Sequence, residues 1–257
     1  MNGWHAVLFG VVEGVSEFLP ISSTGHLILT GRLIGFPQNN FLKSLEIAIQ
    51  LGAIGSVAAL YWRSFLVDRE VLKRVLVAFL PTAVLGFIFY RIIKRFLLGN
   101  TQVVLWSLFL GGIFLILFER FRRPPAVEIK EIARLPYRTA FWIGVAQALA
   151  MIPGVSRSAA TVVGGLALGV ERSAVVEFSF LLAVPTMAAA TGLDLVKNAG
   201  LFSMAELGIL VTGFVTSFAV AIGCIRWLLS FVKRHDFVSF GIYRMILALL
   251  FWFVLKI

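Results

Sequence analysis

Glu13 and Glu17 stand four residues apart in a stretch that is otherwise almost wholly apolar. On a helix they share a face, with about 5–6 Å between Cβ atoms. Two carboxylates that close repel one another, and each is costly to take out of water. They stay charged only beside something cationic: a hard divalent metal, Mg²⁺ or Ca²⁺, or a substrate cation. The plain alternative is a watery vestibule lined by two idle glutamates.

The chain then reads Pro20-Ile21-Ser22-Ser23-Thr24-Gly25-His26. A helix starting at Ser22 gathers its first free N–H groups and three hydroxyls at one place. The positive end of its dipole favours a phosphate oxygen there. Ser23 and His26, three apart, are neighbours on such a helix. They offer a serine nucleophile with an imidazole base, or a histidine that attacks phosphorus itself. The bland alternative is a serine cap followed by a histidine that only hydrogen-bonds within a bundle.

A second break, Pro153-Gly154-Val155-Ser156-Arg157-Ser158, repeats the design with the opposite charge. Another helix N-terminus offers amides, the hydroxyls of Ser156 and Ser158, and a guanidinium. Arginine binds phosphate bidentately and keeps its proton. Within so apolar a run, Arg157 needs an anion, either a glutamate of the first break or a substrate phosphate. A purely structural Arg157–Glu ion pair is the alternative, and both states can coexist in one protein. Glu46 and Gln50 share a face, and Glu177 is the counterpart of Glu46; all three read as braces. Asp194, Lys197 and Asn198 fall where a span ends, and Arg244 reads as snorkelling or paired.

The elements that position these residues are membrane helices. The chain has 257 residues, 60% hydrophobic and 14% charged, with mean hydropathy +0.95. Its apolar residues come in runs of about 20 separated by short basic clusters, the pattern lipid solvation demands. Six segments are long enough to span: 42–62, 75–97, 101–119, 173–196, 204–230 and 238–256. Regions 4–36 and 137–169 are broken by the two proline segments, so each splits into short helices. Half-helices do not cross singly, which favours two re-entrant hairpins. Cys224 is the one cysteine and reads as a small core residue, without disulfide or cysteine-built metal site. The N-terminus, with Glu13 and Glu17 in its apolar stretch and no basic leader, does not read as a signal peptide.

The order hairpin, three spans, hairpin, three spans makes an inverted-topology repeat. Its first half is about 1–119, a cytoplasmic linker covers about 120–136, and the second half is about 137–257, all in one membrane domain. Glu13 to Glu17 before Pro20 is echoed by Gln147 to Met151 before Pro153. The net charge of +10 lies in loops, which points to topogenic charge and anionic headgroups rather than to nucleic acid. Thirteen basic residues collect on one side and seven on the other, with Arg157, Arg226 and Arg244 left uncounted. The positive-inside rule places the richer side in the cytoplasm, and both termini and the site opening on the outer face.

The stretches Glu13-Gly-Val-Ser-Glu17-Phe-Leu-Pro-Ile-Ser-Ser-Thr-Gly-His26 and Pro153-Gly-Val-Ser-Arg157-Ser-Ala-Ala-Thr161 resemble the two signatures of bacterial undecaprenyl-pyrophosphate phosphatases, the bacitracin-resistance family. The likeness runs over essentially the whole chain. It implies an enzyme of the bacterial inner membrane that removes the terminal phosphate of undecaprenyl pyrophosphate, regenerating carrier lipid for peptidoglycan synthesis. It also implies a divalent metal, an inverted repeat with two re-entrant hairpins, and admits a homodimer. Its site residues correspond here to Glu13, Glu17, Ser22, Ser23, Thr24, Gly25, His26 and Arg157, with Ser156, Ser158 and Thr161 in support. Phosphoryl transfer rests on positioning and charge stabilisation, and these parts supply both. Ser23, His26 or a metal-bound water remain open as nucleophile.

Two rivals stand beside this reading. A secondary transporter or lipid flippase also uses broken helices and a mid-membrane anion site. An acid-phosphatase-like lipid phosphatase needs a second histidine six residues after its Ser-Arg arginine, where this chain has Val163. That rival is rejected.

Overall fold

The structure, a computed structural model, describes residues 3–36, 40–92, 97, 100–198 and 206–255. Its helices are α1 (Gly3–Ser16), α2 (Ser23–Leu33), α3 (Asn40–Leu60), a short α4 (Trp62–Leu66), α5 (Arg69–Ile92) and α6 (Thr101–Phe121). After a linker come α7 (Tyr137–Ala148), α8 (Arg157–Ala167), α9 (Arg172–Asn198), α10 (Leu207–Val232) and α11 (Val238–Leu255). Among the described residues the extended pairing is a single bridge, Ile129 to Val170, which pins the linker to the start of α9.

Six of these helices, α3, α5, α6, α9, α10 and α11, are long and apolar enough to cross a bilayer. They are the six expected spans, and the protein is a multi-pass membrane protein. One boundary differs: α5 begins at Arg69 rather than near residue 75. Its polar first turn is held helical by Glu70, which pairs with Lys73 at 2.8 Å and Arg74 at 2.7 Å. Such i,i+3 and i,i+4 pairs keep a charged helix end wound. Lys94, Arg95 and Lys256 lie outside the described residues, as do the side chains of Arg91, Asp194, Lys197 and Asn198.

The spans divide into inner and outer ones. The apolar stretches of α3 and α9 are 61% and 56% buried, against 28–33% for those of α5, α6, α10 and α11. The outer helices leave Phe87, Phe114, Val211 and Phe253 exposed, as lipid-facing surfaces do. α3 and α9 each follow one of the broken helix pairs, so the two pairs sit against the two enclosed spans. The packing has the same exchange in both halves: α1 lies chiefly on α10, α7 lies chiefly on α5, and α6 packs on α11. The α1–α10 contact is close because Gly10 and Gly14 face it. A Cβ on either would come 2.8 Å from a carbonyl oxygen of α10. Small residues at four-residue spacing allow such backbone approach in membranes.

Both helix pairs break where proline removes a donor. An N–H at residue 20 would bond the carbonyl of Ser16, and α1 ends at Ser16. An N–H at residue 153 would bond Leu149, and α7 ends at Ala148, relaxing into one turn of 3₁₀ helix over Leu149–Met151. After each break a serine stands at positive φ, Ser22 at +72° and Ser156 at +77°. Each caps the helix that follows: the Ser22 hydroxyl accepts from Gly25 N at 3.4 Å, and that of Ser156 from Ala159 N at 3.3 Å. Serine in this region costs on the order of 1–3 kcal/mol, and such strain collects at functional sites.

Candidate active site

The two strained caps bring their helix N-termini to one cavity of about 240 Å³. Glu17, Ser22, Ser23 and Thr24 line it from the first break, and Pro153, Gly154, Ser156 and Arg157 from the second. The leading N–H groups of α2 and α8 precede the first intrahelical bond of their helices and leave partial positive charge there.

Glu17 is the hub. The Ser23 hydroxyl donates to its Oε2 at 2.5 Å. Arg157 donates to its Oε1 from Nε at 3.3 Å and from Nη2 at 3.2 Å. The two side chains are only 8% and 11% exposed, so the pair is desolvated and depriving either charge of its partner costs about 3–5 kcal/mol. Arg157 is further held by Ser179 of α9, donating to its carbonyl at 2.8 Å and its hydroxyl at 3.3 Å. The Thr161 and Ser179 hydroxyls are 2.7 Å apart. Arg157 is thereby held between Glu17 and Ser179.

The remaining expected residues take different places. Ser158 and Thr161 are buried behind Arg157, away from the cavity lining. His26 also lies off the lining: Nδ1 is 2.7 Å from the carbonyl of Ser22, and Nε2 is 2.8 Å from the Tyr243 hydroxyl. A carbonyl only accepts, so Nδ1 carries the proton, and the tyrosine hydroxyl donates to Nε2. His26 thus braces the strained carbonyl of Ser22, and both its nitrogens are engaged. Glu13 is fully buried behind Glu17, and neither of its oxygens has a hydrogen-bond partner.

Orphaned carboxylate oxygens beside a second carboxylate fit a bound divalent cation, because an unpaired buried charge is otherwise prohibitive. Among the described residues no third His, Cys, Asp or Glu completes such a cluster. Any further ligands therefore come from hydroxyls, carbonyls, water or phosphate oxygens.

Sequence reasoning missed several residues. Ser179 and Tyr243 carry no signal, since a serine or tyrosine in a span costs little and occurs for many reasons. The rest of the lining is uncharged and mixes Gln50, Thr82, Gln147, Thr186 and Thr191 with Ala150, Met151, Met187 and Ala190. Gln147 donates from Nε2 to the hydroxyls of Thr82 at 2.9 Å and Thr186 at 3.0 Å. Arg244, expected to snorkel or to pair, does neither. It is 1% exposed and, among the described residues, bonds only backbone carbonyls.

A family profile described as "Bacitracin resistance protein BacA" matches residues 6–250. Among curated proteins, the undecaprenyl-diphosphatase of Aquifex aeolicus is 49% identical over 251 residues, covering 98% of each chain. That of Thermus thermophilus is 47% identical over 256 residues, covering 98% of this chain and 97% of its own. The Wolinella succinogenes protein of the same name is 45% identical over the full length of both chains. A match spanning nearly every residue, both breaks and all six spans included, means that this chain belongs to the BacA bacitracin-resistance family.

Proposed function

We propose that the chain hydrolyses undecaprenyl pyrophosphate to undecaprenyl phosphate and inorganic phosphate, recycling the carrier lipid for cell-wall synthesis in the bacterial inner membrane. The name undecaprenyl-diphosphatase, borne by relatives matched over nearly their full length, supports the reaction. No comparison favours a transporter. The observation that carries the chemistry is the 2.5 Å bond from the Ser23 hydroxyl to Glu17, with Arg157 on the same carboxylate.

In this reading the terminal phosphate enters the cavity between the two caps. Arg157 and the leading N–H groups of α2 and α8 take its oxygens. Ser23 Oγ attacks the terminal phosphorus while Glu17 accepts its proton. The bond from phosphorus to the bridging oxygen breaks, and undecaprenyl phosphate leaves. Glu17 returns its proton to the departing undecaprenyl phosphate; it then takes one from the water that attacks the phosphoserine and passes it to Ser23 Oγ as the serine–phosphorus bond breaks and phosphate leaves. Arg157 alternates between Glu17 and the phosphate, so the buried guanidinium always has an anion beside it. His26 holds the Ser22 carbonyl and keeps the cap in place. Glu13 and Glu17 would hold Mg²⁺ or Ca²⁺. Such a metal offsets the charge that a pyrophosphate brings into a low-dielectric site.

The two broken pairs are re-entrant hairpins of an inverted repeat, with halves at about 1–119 and 137–257 and a cytoplasmic linker between. The shared exchange of packing partners supports this. The basic side faces the cytoplasm, and both termini and the cavity mouth face outward. A homodimer is compatible with the exposed outer spans.

The test is phosphate release from a polyprenyl pyrophosphate by detergent-purified protein, with and without EDTA. Wild type, Ser23→Ala, His26→Phe and Arg157→Ala are compared. Metal-dependent release that disappears in Ser23→Ala while lipid binding persists supports the serine. Turnover retained in Ser23→Ala would transfer the attack to water. No release by folded, lipid-binding wild type would overturn the enzyme reading.

A further inference from the structure

We infer that Arg244 of α11 is a positioning residue for the reaction: it ties the two breaks together through their backbones and so sets Ser23 and Glu17 against Arg157. This rests on reading the cavity as the pyrophosphate site.

The guanidinium has five N–H donors, and each meets a backbone carbonyl. Nη1 donates to Pro20 at 3.4 Å and Val155 at 3.0 Å, and Nη2 to Gly154 at 2.9 Å and Ser107 at 2.9 Å. Nε donates to Leu108 at 3.4 Å. Pro20 stands two residues before the strained cap Ser22, and Gly154 two residues before the strained cap Ser156. One side chain thus grips the same point of both breaks and anchors them to α6. Among the described residues, Arg244 is also the largest of the fully buried side chains. Room for it is built into α6, because a Cβ at Gly111 would fall on Nη2 of Arg244.

The arrangement is specific to arginine. A buried charge ordinarily takes a carboxylate, and Glu17 already has Arg157. Arg244 instead spends three donors on carbonyls of the segments that proline has stripped of their helical bonding and two on carbonyls of α6. The result is a rigid fork between two half-helix tips that belong to opposite halves of the chain. Ser23 follows Pro20 by three residues and Arg157 follows Gly154 by three, so a shift at the fork is passed directly to the reacting groups. A misplacement of about 1 Å at such groups costs roughly 10²-fold in rate.

The experiment compares wild type with Arg244→Lys, Arg244→Gln and Gly111→Ala in detergent. Folded fraction, lipid pyrophosphate binding, KM and kcat are measured for each. Lysine keeps the charge but carries its three donors on one atom, so it cannot span both breaks. Gly111→Ala keeps the arginine and crowds its guanidinium.

The expected result is a kcat loss of about 10²-fold per folded molecule in Arg244→Lys and Arg244→Gln, with KM changed by less than about threefold. Gly111→Ala should lose kcat in the same sense. Full kcat per folded molecule in Arg244→Gln would overturn the inference, leaving only a stabilising role. Recovery by lysine but not glutamine would overturn the bridging argument in favour of charge alone. Wild type measured in parallel separates the two readings: an inactive wild type sinks the pyrophosphatase reading, whereas an active one with active variants sinks only this one.

Discussion

Replacing Glu17 by glutamine keeps the shape of the side chain and removes its charge. In the structure one oxygen receives the Ser23 hydroxyl at 2.5 Å and the other receives Arg157 at 3.2 and 3.3 Å. The amide cannot take a proton from Ser23, so general-base help of about 10²–10⁴-fold is lost. At 1.36 kcal/mol per tenfold, the barrier rises by about 3–5 kcal/mol. The folded state loses the charge partner of Arg157, a group 11% exposed. An uncompensated buried charge costs about 3–5 kcal/mol. Here the bonds of Arg157 to Ser179 survive, so the loss falls at about 1–3 kcal/mol. Substrate binding moves the other way: Arg157, freed of its carboxylate, meets the phosphate without competition, and KM stays level or drops. Steady-state phosphate release at several lipid pyrophosphate concentrations gives kcat and KM, and thermal unfolding in the same detergent gives the stability change. A rise in KM of tenfold or more with kcat unchanged would refute the reasoning. Glu17 would then serve binding and not proton transfer.

Other outcomes follow from the same geometry. Glu13→Gln should abolish stimulation by Mg²⁺ or Ca²⁺. Thermal unfolding with and without EDTA should likewise show that Mg²⁺ or Ca²⁺ no longer stabilises the fold, because the carboxylate whose oxygens lack another partner is gone. Ser156→Gly exchanges a cap bond worth a few tenths of a kcal/mol on this substitution for relief of strain on the order of 1–3 kcal/mol. Its melting temperature should hold or rise while activity falls. Glu119 pairs with Arg172 and accepts from Phe237 N at 3.2 Å with only 4% of its side chain exposed. Glu119→Gln should therefore cost about 3–5 kcal/mol of stability, yet leave kcat per folded molecule at the wild-type value because the pair lies away from the cavity lining. An equal fall in kcat would connect that end of the bundle to the site.

Much of the protein is written locally in the chain. Lipid demands about 20 apolar residues per span, so six spans stand out in a sequence as runs. Pro20 and Pro153 each forfeit one helical bond, and the helices end where those bonds fail. Ser22 and Ser156 follow at positions where a side-chain oxygen can replace a lost backbone partner. Charged residues in apolar runs are conspicuous because burial makes them expensive, which is why Glu13, Glu17 and Arg157 could be chosen before any geometry was known. The resemblance of the two signatures added what local chemistry cannot contain, the identity of the substrate.

Tertiary structure decided the contacts between segments distant in the chain. Glu17 and Arg157 are 140 residues apart, and apolar runs say that helices cross the membrane without saying which helices touch. Ser179, Thr82, Gln147 and Thr186 are neutral, and a hydroxyl or amide in a span leaves no mark until its partner is seen. Tyr243 lies 2.8 Å from the second nitrogen of His26, a contact between residues 217 apart that no sequence pattern announces. Arg244 was visible as a buried charge, but its partners are backbone carbonyls. Every residue has one, so no sequence pattern can point to those five. Side-chain type and hydropathy act locally and are legible in order along the chain; the meeting of two strained helix ends depends on packing across the whole bundle.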